Sequence, residues 1–269
     1  MRVIVTRVQP QADAWAEKIS ARGHEAVALP LIEVRPLADV QSVQAAWQRW
    51  ASYTAAMFVS SHAVDFFFKE NKALALDLKG HPTIKTRVWA TGSGTGKALL
   101  AQGVAAQLLD MPSVLSGQFD SEALWQVVGT RVKPGDKVLI VRGTSAAADA
   151  GAAVDAASGV GRDWLAQRLI QAGVLVEFVV AYERGAPHWS AGQYALAQQA
   201  SLDGSVWLFS SAEALDYLRT LLPGADWSGA GAVATHPRIA AAASALGFGV
   251  VKHAKPTLDT VLASIESMP

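Results

Sequence analysis

The sequence predicts an α/β protein of two doubly wound parallel-sheet lobes, and three observations lead to that expectation. Apolar runs of strand length alternate with helical patterns along most of the chain, as in parallel sheets covered by helices. The segment 55–68, AAMFVSSHAVDFFF, returns at 205–218 as SVWLFSSAEALDYL, so that Ser60 and Ser61 match Ser210 and Ser211. Two more pairs repeat: VWAT ending at Thr91 with AVAT ending at Thr235, and VIVTR at 3–7 with LIVRG at 139–143. With 269 residues and 51% apolar content, the chain can bury a core in each of two units of ordinary domain size.

The elements follow in order. The first strand is expected at 2–6, then a helix over 10–22 containing Trp15 and ending at Gly23, then a strand at 26–32. Strand 55–60 runs into helix 62–70, strand 87–91 into helix 95–102, and a further helix occupies 121–129. Strand 137–142, helix 162–172 with Trp164 and Gly173, and strand 175–182 repeat the opening pattern. Strand 205–210, helix 212–221, strand 231–235, helix 237–246, strand 249–253 and helix 257–266 complete the chain. Asp120 or Ser121 before EALWQVV, and Pro256-Thr257 before LDTVLASIE, are helix-start signals. One stretch interrupts the repeat, because 21 residues separate Arg142 from Trp164 where 7 separate Arg7 from Trp15. The extra segment is rich in Ala and poor in large apolar groups, so a mobile surface insertion is expected at 144–160.

Composition excludes several functions. Lys+Arg and Asp+Glu both number 23, so no basic face is expected and nucleic acid is not an expected partner. The absence of cysteine removes disulfides, thiolate nucleophiles and Cys-based metal sites. The chain enters a strand at once and has no apolar run of membrane length, so a cytoplasmic location without membrane contact is expected. TGSGTGKALL at 91–100 lacks the Gly at Thr91 and the Ser or Thr at Ala98 of a phosphate-binding loop, and the Gly at Lys97 of a dinucleotide fingerprint. The six histidines show no metal-ligand spacing, although His62 and His236 sit beside the repeated loops. No GxSxG elbow is present.

In an open parallel sheet, ligands bind beyond the carboxyl ends of the strands, where helix N-termini offer unpaired N–H groups. Thr6-Arg7, Ser60-Ser61, Thr91-Gly92, Arg142-Gly143, Ser210-Ser211 and Thr235 all fall at such ends. A helix cap is the commoner role for any one of these hydroxyls, but the duplicated set points to a ligand edge. The two copies diverge in ALPLIEVRPL and VEFVVAYERGAP: Arg35 matches Arg184, but Tyr182 stands where the other copy has Glu33. A lone Tyr in such a strand is most often a packing residue. Facing a ligand cleft, it is the obvious proton donor.

In their order and spacing, several segments resemble the uroporphyrinogen-III synthase family across nearly the whole chain. They are VTRVQPQADAWAEKISARGHEAVALPLIEV, FVSSHAVDFFF, ATGSGTGKAL, FDSEAL at 119–124, LIVRG, GRDWLAQRLIQAGVLVEFVVAYER, LFSSAEAL and ATHPRIAAAASALGF. The resemblance implies two lobes joined by a two-stranded connector, with residues 1–36 and 184–269 in one and 38–180, inserted, in the other. A tandem reading splits the chain near 135 instead, and the sequence alone leaves both open.

The resemblance also implies a cofactor-free, metal-free dehydration of a linear tetrapyrrole, hydroxymethylbilane. Ring closure would proceed through a spiro intermediate, with ring D inverted. It implies Tyr182 as general acid and a substrate site lined by Thr6, Arg7, Ser60, Ser61, Gly92, Thr95, Ser121, Arg142, Gly143, Arg162, Ser210, Ser211, Thr235 and Arg238. For the arginines a surface ion pair is as common a role, and the insertion bears on Arg162. A monomer in transient contact with the preceding pathway enzyme fits this reading. Two other classes are a small-anion binding or sensor protein without turnover and a nucleotide-sugar transferase. The second lacks a Gly-rich fingerprint and an acidic ribose or metal ligand.

Overall fold

The computed structural model describes residues 1–70, 85–113, 120–145 and 160–268, with the side chains of 160–163 left out of the description. Most of the expected insertion, 146–159, lies outside the described residues. The chain divides into two compact units, one of Met1–Val34 with Gly185–Pro269 and the other of Arg35–Arg184.

The first unit holds β1 (Arg2–Val5), α1 (Gln11–Ser20) and β2 (Glu25–Ala28) from the start of the chain. From the end it holds α7 (Ala191–Ala200), β9 (Val206–Phe209), α8 (Ala212–Leu221), β10 (Gly231–Ala234), α9 (Pro237–Leu246), β11 (Val250–His253) and α10 (Leu258–Glu266). Its five strands pair in parallel in the order β11-β10-β9-β1-β2. Strand alternation places Ile4, Trp207 and Phe209 on one face with Leu215, Leu218, Trp227 and Phe248. Val3, Val5, Val206 and Leu208 lie on the other with Ile19, Val261 and Ile265.

The second unit contains α2 (Gln41–Gln48), a 3-10 turn (Trp50–Ser52), β4 (Ala55–Phe58), α3 (Ser61–Lys69), β5 (Arg87–Ala90) and α4 (Ser93–Ala101). A second 3-10 turn (Ala106–Leu108), β6 (Leu109–Asp110), α5 (Ser121–Val128), β7 (Lys137–Ser145), α6 (Val160–Gln171) and β8 (Leu175–Gly185) complete it. The sheet runs β3-β8-β7-β4-β5-β6, where β3 (Glu33–Pro36) is the edge strand beside β8, and β4 to β8 are parallel. The chain crosses between units inside β3 and at the end of β8. One face packs Met57, Trp89 and Ile140 against Leu124, Leu165 and Leu169. An aromatic group of Trp47, Trp50, Phe58, Phe67 and Phe68, with ring centroids 4.6 to 6.1 Å apart, is the second cluster, and Trp47 Nε1 donates to the Phe67 carbonyl.

The repeat is visible in the strand orders. β4, β5, β6, β7 and β8 correspond to β9, β10, β11, β1 and β2, so both sheets have one order but begin at different points of the chain. The α/β class with two parallel sheets is borne out. Boundaries differ most from expectation in three strands. β2 stops at Ala28, with Leu29, Leu31 and Ile32 buried without continuing it. β7 runs to Ser145, so that Thr144 and Ser145 of the expected insertion are strand, and β8 runs to Gly185, because the two pair in parallel to their ends. The sequence reading gives no place to α2, α7, β6 or the 3-10 turns, and it reads the β3 segment as the second strand running on toward Pro36, where the structure has a separate strand. Asp120, not Ser121, caps α5, accepting from the Ala123 amide at 2.8 Å, while the Thr257 hydroxyl at the start of α10 lies 2.8 Å from the Thr260 hydroxyl and caps no backbone amide.

Candidate functional site

Both sheets change winding direction at a switch point, between β4 and β7 in the second unit and between β9 and β1 in the first. The repeated hydroxyl positions and Arg7 stand just past the carboxyl ends of their strands, where each gives way to a turn and a helix. Arg142 and Gly143, expected at a strand end, lie instead inside β7, which stays paired with β8 as far as Ser145.

In the second unit the turn after β4 brings two hydroxyls together. Ser60 has extended backbone (φ −161°, ψ 165°) and is the N-cap of α3, accepting from the Ala63 amide at 3.1 Å. Its Oγ also lies 3.0 Å from the hydroxyl of Tyr182, which arrives from β8 and is 3% exposed. Tyr182 sits opposite Gly143 in the β7–β8 register, just past a bulge between Arg142 and Gly143. A Cβ on Gly143 would stand 2.4 Å from Cε2 and Cζ of the ring, so only glycine leaves room for the tyrosine. Phe66 stacks on the same ring with centroids 5.9 Å apart, and His62 lies at 6.0 Å. These two are neighbours at i and i+4 on α3. That spacing was the available signal for Phe66, which sequence reasoning passed over.

The other predicted residues of this unit are more dispersed in role. Ser61 is the first residue of α3, and Gly92 is the N-cap of α4 without a side-chain bond. Thr95 and Ser121 are buried within the first turns of α4 and α5. The Arg142 guanidinium lies over the Phe178 ring at 4.6 Å. Arg162 falls in α6, with its side chain outside the described residues.

In the first unit Thr6 is buried, and its hydroxyl donates to the Leu208 carbonyl at 2.7 Å, tying β1 to β9. Arg7 follows directly. Its guanidinium stacks on Trp15 at 4.2 Å and reaches Gln11 at 3.5 Å, and its Nε is buried without a hydrogen-bond partner. Burial lowers its pKa, and no carboxylate pairs with it among the described residues. This is a cation held short of a counter-charge. Ser211 is the N-cap of α8 without a side-chain bond, one position later in the repeat than the capping Ser60, with Ser210 just before it. Thr235 follows β10, and the next residue, His236, caps α9 by accepting from the Arg238 amide at 3.1 Å. Arg238 itself is exposed.

Among the described residues, no group of three or more His, Asp or Glu is placed to hold a metal ion, and no helix is long and apolar enough to cross a membrane.

Residues 13–263 match the family model described as Uroporphyrinogen-III synthase HemD. A curated relative from Chlorobaculum parvum, "Uroporphyrinogen-III synthase", is 34% identical over 110 residues, 40% of this chain and 41% of the relative. "Porphyrin biosynthesis protein HemD" from Ruminiclostridium josui is 27% identical over 139 residues, 52% of this chain and 26% of the relative. The matched region thus spans less than half the length of either relative. The crystal structure of uroporphyrinogen-III synthetase from Helicobacter pylori superimposes with a TM-score of 0.56 at 16% identity, covering 100% of both chains. That of a mutant uroporphyrinogen III synthase from Thermus thermophilus gives 0.50 at 17%, covering 99% of this chain and 97% of the other. At these identities the two crystal structures are evidence of a shared fold.

Proposed function

The chain belongs to the uroporphyrinogen-III synthase family, and from that premise we propose that it is a cyclising hydro-lyase that converts hydroxymethylbilane to uroporphyrinogen III with inversion of ring D. The observation that carries this reading to particular atoms is the Tyr182 hydroxyl, held 3.0 Å from Ser60 at the switch point of its sheet.

The reaction removes a hydroxyl from the hydroxymethyl carbon, which bonds to the substituted α-carbon of ring D to give the spiro intermediate. The bond from that α-carbon to its original bridging methylene then breaks, the methylene rebonds at the other α-carbon of ring D, and that carbon gives up its hydrogen. Oxidation level is unchanged, so no redox cofactor is required. The departing hydroxyl needs a proton, and Tyr182 is assigned as its source, a contribution of roughly 10²–10⁴-fold for a placed general acid. The phenolate left behind recovers its proton from the ring carbon after closure.

The substrate carries eight carboxylates, for which Arg7 supplies a cation without a counter-charge and the helix starts after β4, β5, β9 and β10 supply N–H groups. Holding the chain ends in one geometry accounts for much of the product choice, because the free bilane also closes, to the uninverted isomer. A monomer acting in the cytoplasm, in passing contact with the enzyme that delivers the bilane, fits this role.

The test is to supply fresh hydroxymethylbilane, oxidise the products and separate the porphyrin isomers. An excess of isomer III over a protein-free control supports the proposal. Isomer I alone, with folded protein, refutes it.

A further inference from the structure

We propose that Ser60 is the group that passes the proton from Tyr182 to the departing hydroxyl, an inference that rests on the cyclising activity proposed above. The Tyr182 ring lies against the bare backbone of Gly143 and beside Phe66 and His62, and only 3% of the residue is exposed. Its hydroxyl ends on Ser60 Oγ at 3.0 Å, the only hydrogen bond of that hydroxyl among the described residues. Ser60 is more exposed than Tyr182 and stands in the turn between β4 and α3, at the edge where ligands of such sheets bind. The phenol is therefore the buried end of a two-hydroxyl pair, and the serine is the end that meets solvent or substrate.

The chemistry of the pair follows from its geometry. Ser60 Oγ accepts from the Ala63 amide at 3.1 Å, which occupies one lone pair and polarises the hydroxyl toward giving up its hydrogen. The phenol lies within hydrogen-bond distance of the same oxygen, and in the relay it is the donor to the second lone pair. In the dehydration step Ser60 gives its hydrogen to the departing oxygen while Tyr182 gives its own to Ser60 Oγ. The C–O bond breaks with both electrons going to oxygen, water leaves, and the negative charge rests on the phenolate, not on a serine alkoxide. After ring closure the pyrrole carbon loses its hydrogen to Ser60 as Ser60 returns one to the phenolate, and both residues are as they began. Serine alone is too weak an acid, and the phenol alone is too deeply placed.

A double-mutant cycle on isomer III formation tests this. Ser60→Ala and Tyr182→Phe are each expected to lower kcat by roughly 10²-fold with KM little changed, and the double variant to be no slower than either single. Ser60→Asn keeps a helix-capping oxygen but cannot relay a proton. It is expected to melt like the wild type and to be as slow as Ser60→Ala, while Ser60→Thr restores turnover. The relay is overturned if Tyr182→Phe is slow but Ser60→Asn turns over at the wild-type rate, or if the two single losses multiply. A wild-type protein that yields no excess of isomer III overturns the activity itself, and the relay with it.

Discussion

Gly143→Ala is the sharpest probe of the arrangement around Tyr182. An added methyl would sit 2.4 Å from Cε2 and Cζ of the ring, whereas ordinary contact begins at 3.4 Å, so the ring must retreat by about 1 Å. Phe66 stacks at 5.9 Å and His62 at 6.0 Å, so the ring is already flanked. Overpacking of this kind costs about 1–3 kcal/mol. In a unit of this size that lowers the melting temperature by about 3–10 °C. The same retreat carries the hydroxyl from 3.0 Å to about 4 Å from Ser60, beyond hydrogen-bond reach. A misplacement of about 1 Å at a reacting group can cost roughly 10²-fold in rate. The assay is thermal denaturation together with isomer III formation, repeated in a Tyr182→Ala background where the ring is gone. In that background the stability penalty is expected to vanish. A Gly143→Ala protein that melts within about 1 °C of wild type with unchanged turnover, or a penalty that persists without the ring, refutes the reasoning.

Other expectations concern charge and burial. Arg7→Met should raise KM by about 10- to 100-fold, the worth of a hydrogen-bonded charge, while leaving the melting temperature equal or higher, because it removes a desolvated cation. Substrate titration and a thermal scan check both halves, and an unchanged KM would count against a carboxylate at Arg7. Asp110, 4% exposed, accepts from Arg87 at 2.7 Å, from Trp89 at 3.1 Å and from Arg131. Asp110→Ala leaves the buried Trp89 N–H without its acceptor and unpairs two arginines that solvent still reaches, and should cost about 1–3 kcal/mol, read by denaturant unfolding. Burial, with the neighbouring Glu177 carboxylate, raises the pKa of Tyr53. The unfolded chain therefore loses this phenol proton first, and stability falls as pH rises past about 10. Tyr53→Phe should flatten that alkaline loss in denaturation series between about pH 9 and 11.

How much of this was legible depends on the range over which each feature is determined. The α/β class and the strand ends were readable because parallel strands announce themselves as short apolar runs, and Ser60, Thr91, Ser210 and Thr235 simply follow them in sequence. Apolarity reports burial, not pairing, which is why 26–32 reads as one strand although β2 ends at Ala28 and Leu29, Leu31 and Ile32 are buried beyond it. Helix α7, AGQYALAQQA, presents little contrast between faces, with only Ala197 and Ala200 buried, and β6 is two residues long. The seat of Tyr182 on Gly143 lay beyond sequence reading because it depends on the β7–β8 register and on the bulge that sets it. Arg7's missing counter-charge is likewise a property of everything packed around it.

The divergence between the two copies carries more functional information than their likeness. The match of VIVTR with LIVRG sets Arg7 against Gly143, and the match of Arg35 with Arg184 sets Glu33 against Tyr182. The matched positions thus hold arginine and glutamate in the first copy and glycine and tyrosine in the second, although Arg7 follows β1 whereas Gly143 lies inside β7, and Glu33 falls in β3 and not in β2, the counterpart of β8. The second pairing is sterically obligatory, because the tyrosine ring occupies the space a side chain at 143 would need. In the first copy the position is free to carry a long cation, which lies over Trp15 instead. Glu33 accordingly does not point to a second acid site: its carboxylate accepts from the backbone amide of His188 at 3.3 Å, with the imidazole at the same distance. The helix starts diverge in the same sense, since Ser60 caps α3 with its side chain and meets the phenol, whereas Ser211 caps α8 with backbone alone. The matched strand edges thus carry a hydroxyl pair in one unit and a cation without a counter-charge in the other, and under the function proposed above the first moves a proton and the second holds a carboxylate. Exchanging Arg7 and Gly143 should therefore abolish both functions at once, because arginine at 143 displaces the phenol and glycine at 7 removes the charge.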